Sequence, residues 1–232
     1  MSIHDGHRQR LKQRFLEEGL DNFSDINVLE LLLFYSIPRR DTNPIAHALL
    51  EHFGSLHQVL EAPVEELVRI SGISENTATF LNLVTAVGRY YQISRSKVQN
   101  VLTTTESCGQ YLLPYFVGRR VECVYLLCLD AKCKVLCCKE VGEGSVNSAG
   151  VSIRRIVEVA LGANASTVVL AHNHPSGLAL PSGEDVQTTR RVAAALSAVE
   201  IRLADHIVVA DDDFVSLAQS GYYHPDEEYT VI

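Results

Sequence analysis

The stretch that most constrains this chain runs from Ala171 to Asp185, Ala-His-Asn-His-Pro-Ser-Gly-Leu-Ala-Leu-Pro-Ser-Gly-Glu-Asp. The apolar run Thr167-Val-Val-Leu-Ala171 leads straight into it, as a buried strand does. His172 and His174 are two apart, so at a strand end both imidazoles point to the same side. Pro175 stops further pairing. Ser182-Gly-Glu-Asp185 reads as the first turn of the next helix, with the serine as cap and the acid in the helix dipole. Two imidazoles and one carboxylate, delivered from a strand end and a helix start, make a three-ligand metal site. Zinc in hydrolytic sites has three protein ligands and keeps a fourth position for water. A zinc so held lowers the pKa of its water towards about 7 and polarises a substrate carbonyl. A carboxylate is still needed to take the water's proton and pass it to the leaving amine. None stands beside the two histidines, unlike a helical His-Glu-x-x-His site. Glu140 and Glu143, at the end of an expected strand Cys133–Val141, are the candidates, and Ser182 could donate a hydrogen bond to the developing oxyanion.

The rest of the chain supplies a frame for that site. Residues 7 to about 95 read as five helices with clear punctuation: Gly19 after the first, Ser24 capping the second, and Pro38 ending it. Asn43-Pro44 is a cap and first helical position, Ser55 and Pro63 are short starts, and Ser74 caps a longer helix, Glu75 to Tyr91. That is a small all-α domain, residues 1–95, followed by a polar linker, 96–103. Within it Ile70-Ser-Gly-Ile-Ser-Glu-Asn-Thr-Ala78 resembles the hairpin of helix–hairpin–helix domains, whose glycine-rich turn offers N–H groups to a DNA phosphate. Gly72 is present, but Ser74 occupies the second glycine position and serves as a helix cap. The hairpin therefore reads as structural first and DNA-contacting second. Residues 104–232 hold a helix from Thr104 or Thr105 to about Val117, then two β-prone runs, Val121–Leu129 and Cys133–Val141, joined by a tight turn at Asp130-Ala-Lys132. A helix begun by Ser152, the strand into His172, a helix after Asp185, and one or two strands over Ile201–Asp205 and Ile207–Ala210 complete an α/β domain, a mixed sheet flanked by helices.

Charge narrows the partners. The net charge is -8, with ten Lys/Arg against twelve Asp/Glu in residues 1–100 and ten against sixteen in the remainder. Nucleic-acid affinity rests on neutralising phosphates, so neither half advertises a DNA surface. The cluster Arg8, Arg10, Lys12 and Arg14 reads as the solvated face of a helix. No apolar run of about 18 residues suggests a membrane span, and Met1-Ser-Ile-His-Asp-Gly-His-Arg lacks a signal-peptide core, so a cytoplasmic protein is expected. All six cysteines fall between Cys108 and Cys138 without a CxxC pair, which reads as small buried hydrophobes in a reducing compartment rather than a zinc ribbon.

Taken jointly, His172-Asn-His174, the seven residues Pro175 to Pro181, and Ser182-Gly-Glu-Asp185 match the His-x-His-x7-Ser-x-x-Asp signature of the JAMM (MPN+) metalloprotease family at every ligand position. The surroundings resemble its bacterial RadC-like (UPF0758) branch, in Glu140-Val-Gly-Glu-Gly-Ser-Val-Asn-Ser148, in the extended His172–Gly177 segment and in Asp205-His-Ile-Val-Val209. The helical N-terminal half, including the turn at Gly72, is also similar to the domain that precedes the metal domain there. The resemblance implies a JAMM/MPN-like α/β fold with cytidine-deaminase-like layering behind a helix-hairpin-helix-like domain. It implies one Zn2+ per chain on His172, His174 and Asp185, Glu140 rather than Glu143 as acid/base, and Ser182 at the oxyanion. His206 lies in a segment shared with that branch, either as a group orienting a ligand or as a buried structural histidine. Asn173 stands where eukaryotic members usually carry Ser or Thr, which bears on substrate more than on metal. The implied activity is a zinc metallopeptidase or isopeptidase with a protein or peptide substrate. The alternative is a DNA repair or recombination accessory protein that binds DNA through the hairpin at Gly72 and Ser74, with a structural or regulatory metal site.

Overall fold

The computed structural model describes residues 3–96, 101–144, 152–175 and 177–227. Residues 97–100 of the expected linker, Ser145–Ser148 after the Glu140 strand, Ser176 and the polar tail beyond Glu227 lie outside the described residues. Contacts divide the chain into two units, Met1–Gly88 and Arg89–Ile232.

The first unit is helical: α1 (Ile3–Glu18), α2 (Asp25–Ser36), α3 (Asn43–Phe53), α4 (Leu56–Glu61), α5 (Val64–Leu67) and α6 (Glu75–Ser96), whose last turns belong to the second unit. The expected five helices become six because Ser55 and Pro63 each open a separate short helix. Ser24, Ser55 and Ser74 accept the N–H three residues on, satisfying donors that a helix start leaves open. Asn43 is helical itself, with Thr42 at the cap and Pro44 in the first turn. Leu29, Leu33, Leu49, Val59, Leu67 and Leu81 are fully buried between these helices. Gly72, in the turn between α5 and α6, has φ +97, and a Cβ there would lie 2.8 Å from Ile45 Cδ1. Both backbone and packing require glycine at that position.

The second unit is an α/β layer structure. Its helices are α7 (Thr105–Phe116), α8 (Ile153–Gly162) and α9 (Gly183–Ser197), and its strands are β1 (Cys123–Leu129), β2 (Val135–Glu143), β3 (Thr167–Asn173), β4 (Arg202–Ala210) and β5 (Asp213–Ser216). They form one five-stranded mixed sheet in the order β2-β1-β3-β4-β5, in which β3 and β4 are parallel and the other neighbours antiparallel. The two expected segments after Ile201 are one strand. Alternate residues serve two cores. Val124, Leu126, Val168, Leu170 and Val208 pack with α8 and α9 on one face. Tyr125, Leu127, Val169, Ala171 and Ile207 pack with α7 on the other. Each buried aliphatic side chain contributes about 1.5–3 kcal/mol, and β1, buried at all seven positions, is stabilised from both faces. The six cysteines are unpaired, and Cys108, Cys123 and Cys128 are buried. Burial pushes the Cys108 thiol up to about 11 and that of Cys128 to about 12, so both stay protonated as apolar filler.

Candidate metal centre

β3 ends at Asn173, and the side chain of His172 lies on the α8/α9 face because it pairs with Val124. The chain then leaves the sheet through Pro175, crosses the loop to Pro181 and enters α9, whose first turn carries Asp185 onto the same face. The three ligands predicted from the sequence therefore meet. His172 Nε2 is 2.9 Å from His174 Nε2 and 3.2 Å from Asp185 Oδ1, and His174 Nε2 is 3.6 Å from Asp185 Oδ2. Ligand bonds of about 2.0–2.2 Å around a tetrahedral zinc put donor atoms about 3.3–3.6 Å apart, so the two imidazoles must open by a few tenths of an ångström to admit the ion. The donor set suits zinc chemically as well. His174 Nδ1 lies 3.1 Å from the Leu178 carbonyl, which can only accept, so a neutral His174 presents a bare Nε2 towards the other two ligands. Electron-rich atoms converge there on a position that suits a cation.

Ser182 closes a reciprocal capping box. Its N–H and Oγ–H donate to Asp185 Oδ2 at 2.7 and 2.6 Å, and its Oγ accepts from the Asp185 N–H at 3.1 Å. Oδ2 is held and Oδ1 is left facing His172. Burial disfavours the Asp185 charge, but its interaction with His172 and the two Ser182 donors outweigh it, holding the carboxyl well below its usual range. Ser182 has one proton, and here it is committed to Asp185. An oxyanion role requires that hydroxyl to turn.

Glu140 is not brought to the triad. It pairs with Tyr125, whose ring packs against Tyr115 and Phe116 on the α7 face. There Glu140 Oε2 accepts from Arg119 Nη2 at 2.6 Å and from the Tyr125 hydroxyl at 2.8 Å. Glu143 pairs with Cys123, which also packs towards α7. The register explains the difference. Val141 is an extra residue between the Tyr125–Glu140 and Val124–Gly142 pairs, a β-bulge, and it leaves both glutamates on the face away from His172.

The carboxylate that sequence reasoning missed is Glu122. The Gly144 N–H donates to the Glu122 carbonyl at 2.7 Å, carrying the β1/β2 pairing one residue past the strand. Alternation then puts Glu122 on the face of Val124 and His172, at the end of the sheet where β3 runs into His174. Glu122 is half-buried, and no described residue pairs with its carboxylate. One signal was present: Glu122 is the single charge inside the otherwise apolar expected strand Val121–Leu129.

His206 lies under His172, with its Nε2 2.8 Å from His172 Nδ1, and its Nδ1 is 2.6 Å from Thr189 Oγ1 on α9. Ala204 is an extra residue in the β3/β4 register, and this bulge turns His206 to the α8/α9 face. Burial and the neighbouring His172 hold the His206 pKa well below the ordinary value, so the ring is neutral. Asp205, on the other face, is a structural hub. Its carboxylate accepts from Ser216 Oγ, Thr105 Oγ1 and the N–H groups of His206 and Ala218. Asn173, between the two histidines, is a clip: its Oδ1 accepts from the Cys123 N–H at 2.7 Å and its Nδ2 donates to the Val121 carbonyl at 3.1 Å. Asn173 thereby anchors the segment that carries Glu122 to the end of β3. Gly72 and Ser74 have the packing and capping roles described above.

Residues 102–222 match the RadC-like JAB domain, and residues 6–79 match the UPF0758 N-terminal domain. A UPF0758 protein of Ruegeria pomeroyi is 34% identical over 216 residues, 93% of this chain and 96% of that one. One of Fusobacterium nucleatum is 32% identical over 223 residues, again 93% and 96%, and one of Paraburkholderia xenovorans 31% over 211 residues, 91% and 83%.

Proposed function

Because this chain belongs to the UPF0758 family and carries a RadC-like JAB domain, we propose that it is a zinc-dependent amide hydrolase, a metallopeptidase or isopeptidase. The observation that carries the reading is the convergence of His172, His174 and Asp185 on one point at the end of β3. Zinc held there would polarise an amide carbonyl and bring the pKa of water towards about 7. Glu122 takes the proton of the attacking water and returns it to the leaving nitrogen, a role supported by its face of the sheet and by a carboxylate that no described residue pairs with. Glu140, paired with Arg119 and Tyr125, keeps the α7 face together instead. Ser182 keeps Asp185 oriented and, on turning its hydroxyl, donates to the oxyanion.

Purified protein is expected to hold about one zinc per chain, lost in His174→Ala and Asp185→Ala. Against a peptide and isopeptide library, Glu122→Gln keeps its zinc and loses turnover by about 10²–10⁴-fold, while Glu140→Gln stays active. Turnover that survives Glu122→Gln but not Glu140→Gln would reverse the assignment of the base. Salt-dependent DNA binding lost on changing Gly72, with no amide hydrolysed, would replace the reading by that of a DNA accessory protein.

A further inference from the structure

We propose that Thr189 and His206 form a hydrogen-bond relay of fixed polarity that sets the tautomer of His172, and so are positioning residues for the zinc of the centre proposed above. The hydroxyl proton of Thr189 has only one place to go. Thr189 Oγ1 lies 2.6 Å from the carbonyl of Asp185, one turn back on α9. A carbonyl only accepts, so the threonine proton lies on that bond. The second contact of Thr189 Oγ1, 2.6 Å from His206 Nδ1, therefore has the ring N–H as donor. A neutral imidazole carries one N–H, so His206 Nε2 is bare and accepts from His172 Nδ1 at 2.8 Å. His172 Nε2 is then bare in turn, and it is the atom that faces His174 and Asp185.

Three features make this a device rather than a coincidence of contacts. Thr189, His206 and His172 are all 0% exposed, so water is not at hand to supply the opposite polarity. The extra residue Ala204 in β4 turns His206 to this face. The relay also begins on the backbone of Asp185, so one ligand's peptide group fixes the ring of another. Without the Thr189 oxygen, an N–H at His206 Nδ1 is a buried donor with no acceptor, and moving that proton to Nε2 relieves the cost while keeping a hydrogen bond to His172 of reversed polarity. His172 then accepts at Nδ1 and carries its own proton on Nε2, where zinc would bind.

Zinc affinity by chelator competition and nitrogen-15 imidazole spectra of the zinc-free full chain test this together. In the wild type, both His172 and His206 are expected as Nδ1–H tautomers. Thr189→Val moves the proton of each to Nε2 and weakens zinc binding about 10–100-fold. Thr189→Ser, which keeps the hydroxyl, restores both readings. An Nε2–H tautomer at His172 in the wild type, or unchanged zinc affinity in Thr189→Val, overturns the relay. The wild-type spectrum decides even if Thr189→Val does not fold. A wild type with the expected tautomers and zinc affinity that hydrolyses no amide refutes the hydrolase and supports the relay.

Discussion

His206 is fully buried beneath His172, and burial first, then the adjacent His172, holds its pKa well below the ordinary imidazole value. The unfolded chain takes up a proton at His206 below about pH 6.5, and the folded chain does not. Stability therefore rises with pH in that range and is lost as pH falls from about 6.5 towards the depressed folded value, by at most about 1.4 kcal/mol per pH unit. Urea titrations of the zinc-free protein between about pH 5 and 7 are expected to show this slope, and His206→Gln to flatten it. A slope unchanged by that substitution would assign it to another group. Asp185 acts in a separate window. Its lowered pKa contributes stability that is present above about pH 4 and lost as pH falls further. Single residues were legible in the sequence where chemistry is local: His172, His174 and Asp185 follow from spacing alone, and Ser182 from its capping position. Thr189 was not, because a threonine on a helix carries no signal until its neighbour across the layer is known.

Between elements, Asp205 ties α7, β4 and β5 with four accepted hydrogen bonds, while burial pushes its carboxyl pKa up against the pull of those donors. Asp205→Ala would leave buried donors unpaired at three elements and is expected to cost about 3 kcal/mol or more, read by urea unfolding. Asp205→Asn, which still accepts at one oxygen, is expected to cost less, and equal losses would point to packing rather than to hydrogen bonds. The four-residue β5 left no such signal, but β1 to β4 were legible in chain order from apolar runs and turn residues. Their phase was not. β1 is apolar at every position because both its faces are buried, so no alternation says which way each side chain points. Bulges at Val141 and Ala204 then shift the count by one in β2 and β4. Glu140 read as the base from its place at a strand end and from the family resemblance, and the face it occupies was not legible.

For the chain as a whole, Met1–Gly88 and Arg89–Ile232 each hold their own core, and the candidate metal-binding triad lies in the second unit. Zinc that binds only the folded state stabilises by about 2.7 kcal/mol at a hundred times its dissociation constant. Calorimetry with and without a chelator is expected to move the transition of the second unit and leave that of the first in place. A single transition that shifts as one would show the two units unfolding cooperatively. No helix among the described residues is long and apolar enough to cross a membrane. The sequence by itself determined the identity and spacing of the triad that could hold a metal, the helical first unit and the mixed α/β second unit, since each rests on local patterns of chain geometry. Only the tertiary structure decided which carboxylate shares a face with that triad and which threonine and histidine stand behind it. Strand register decides both, and register is a property of paired strands that neither strand carries alone.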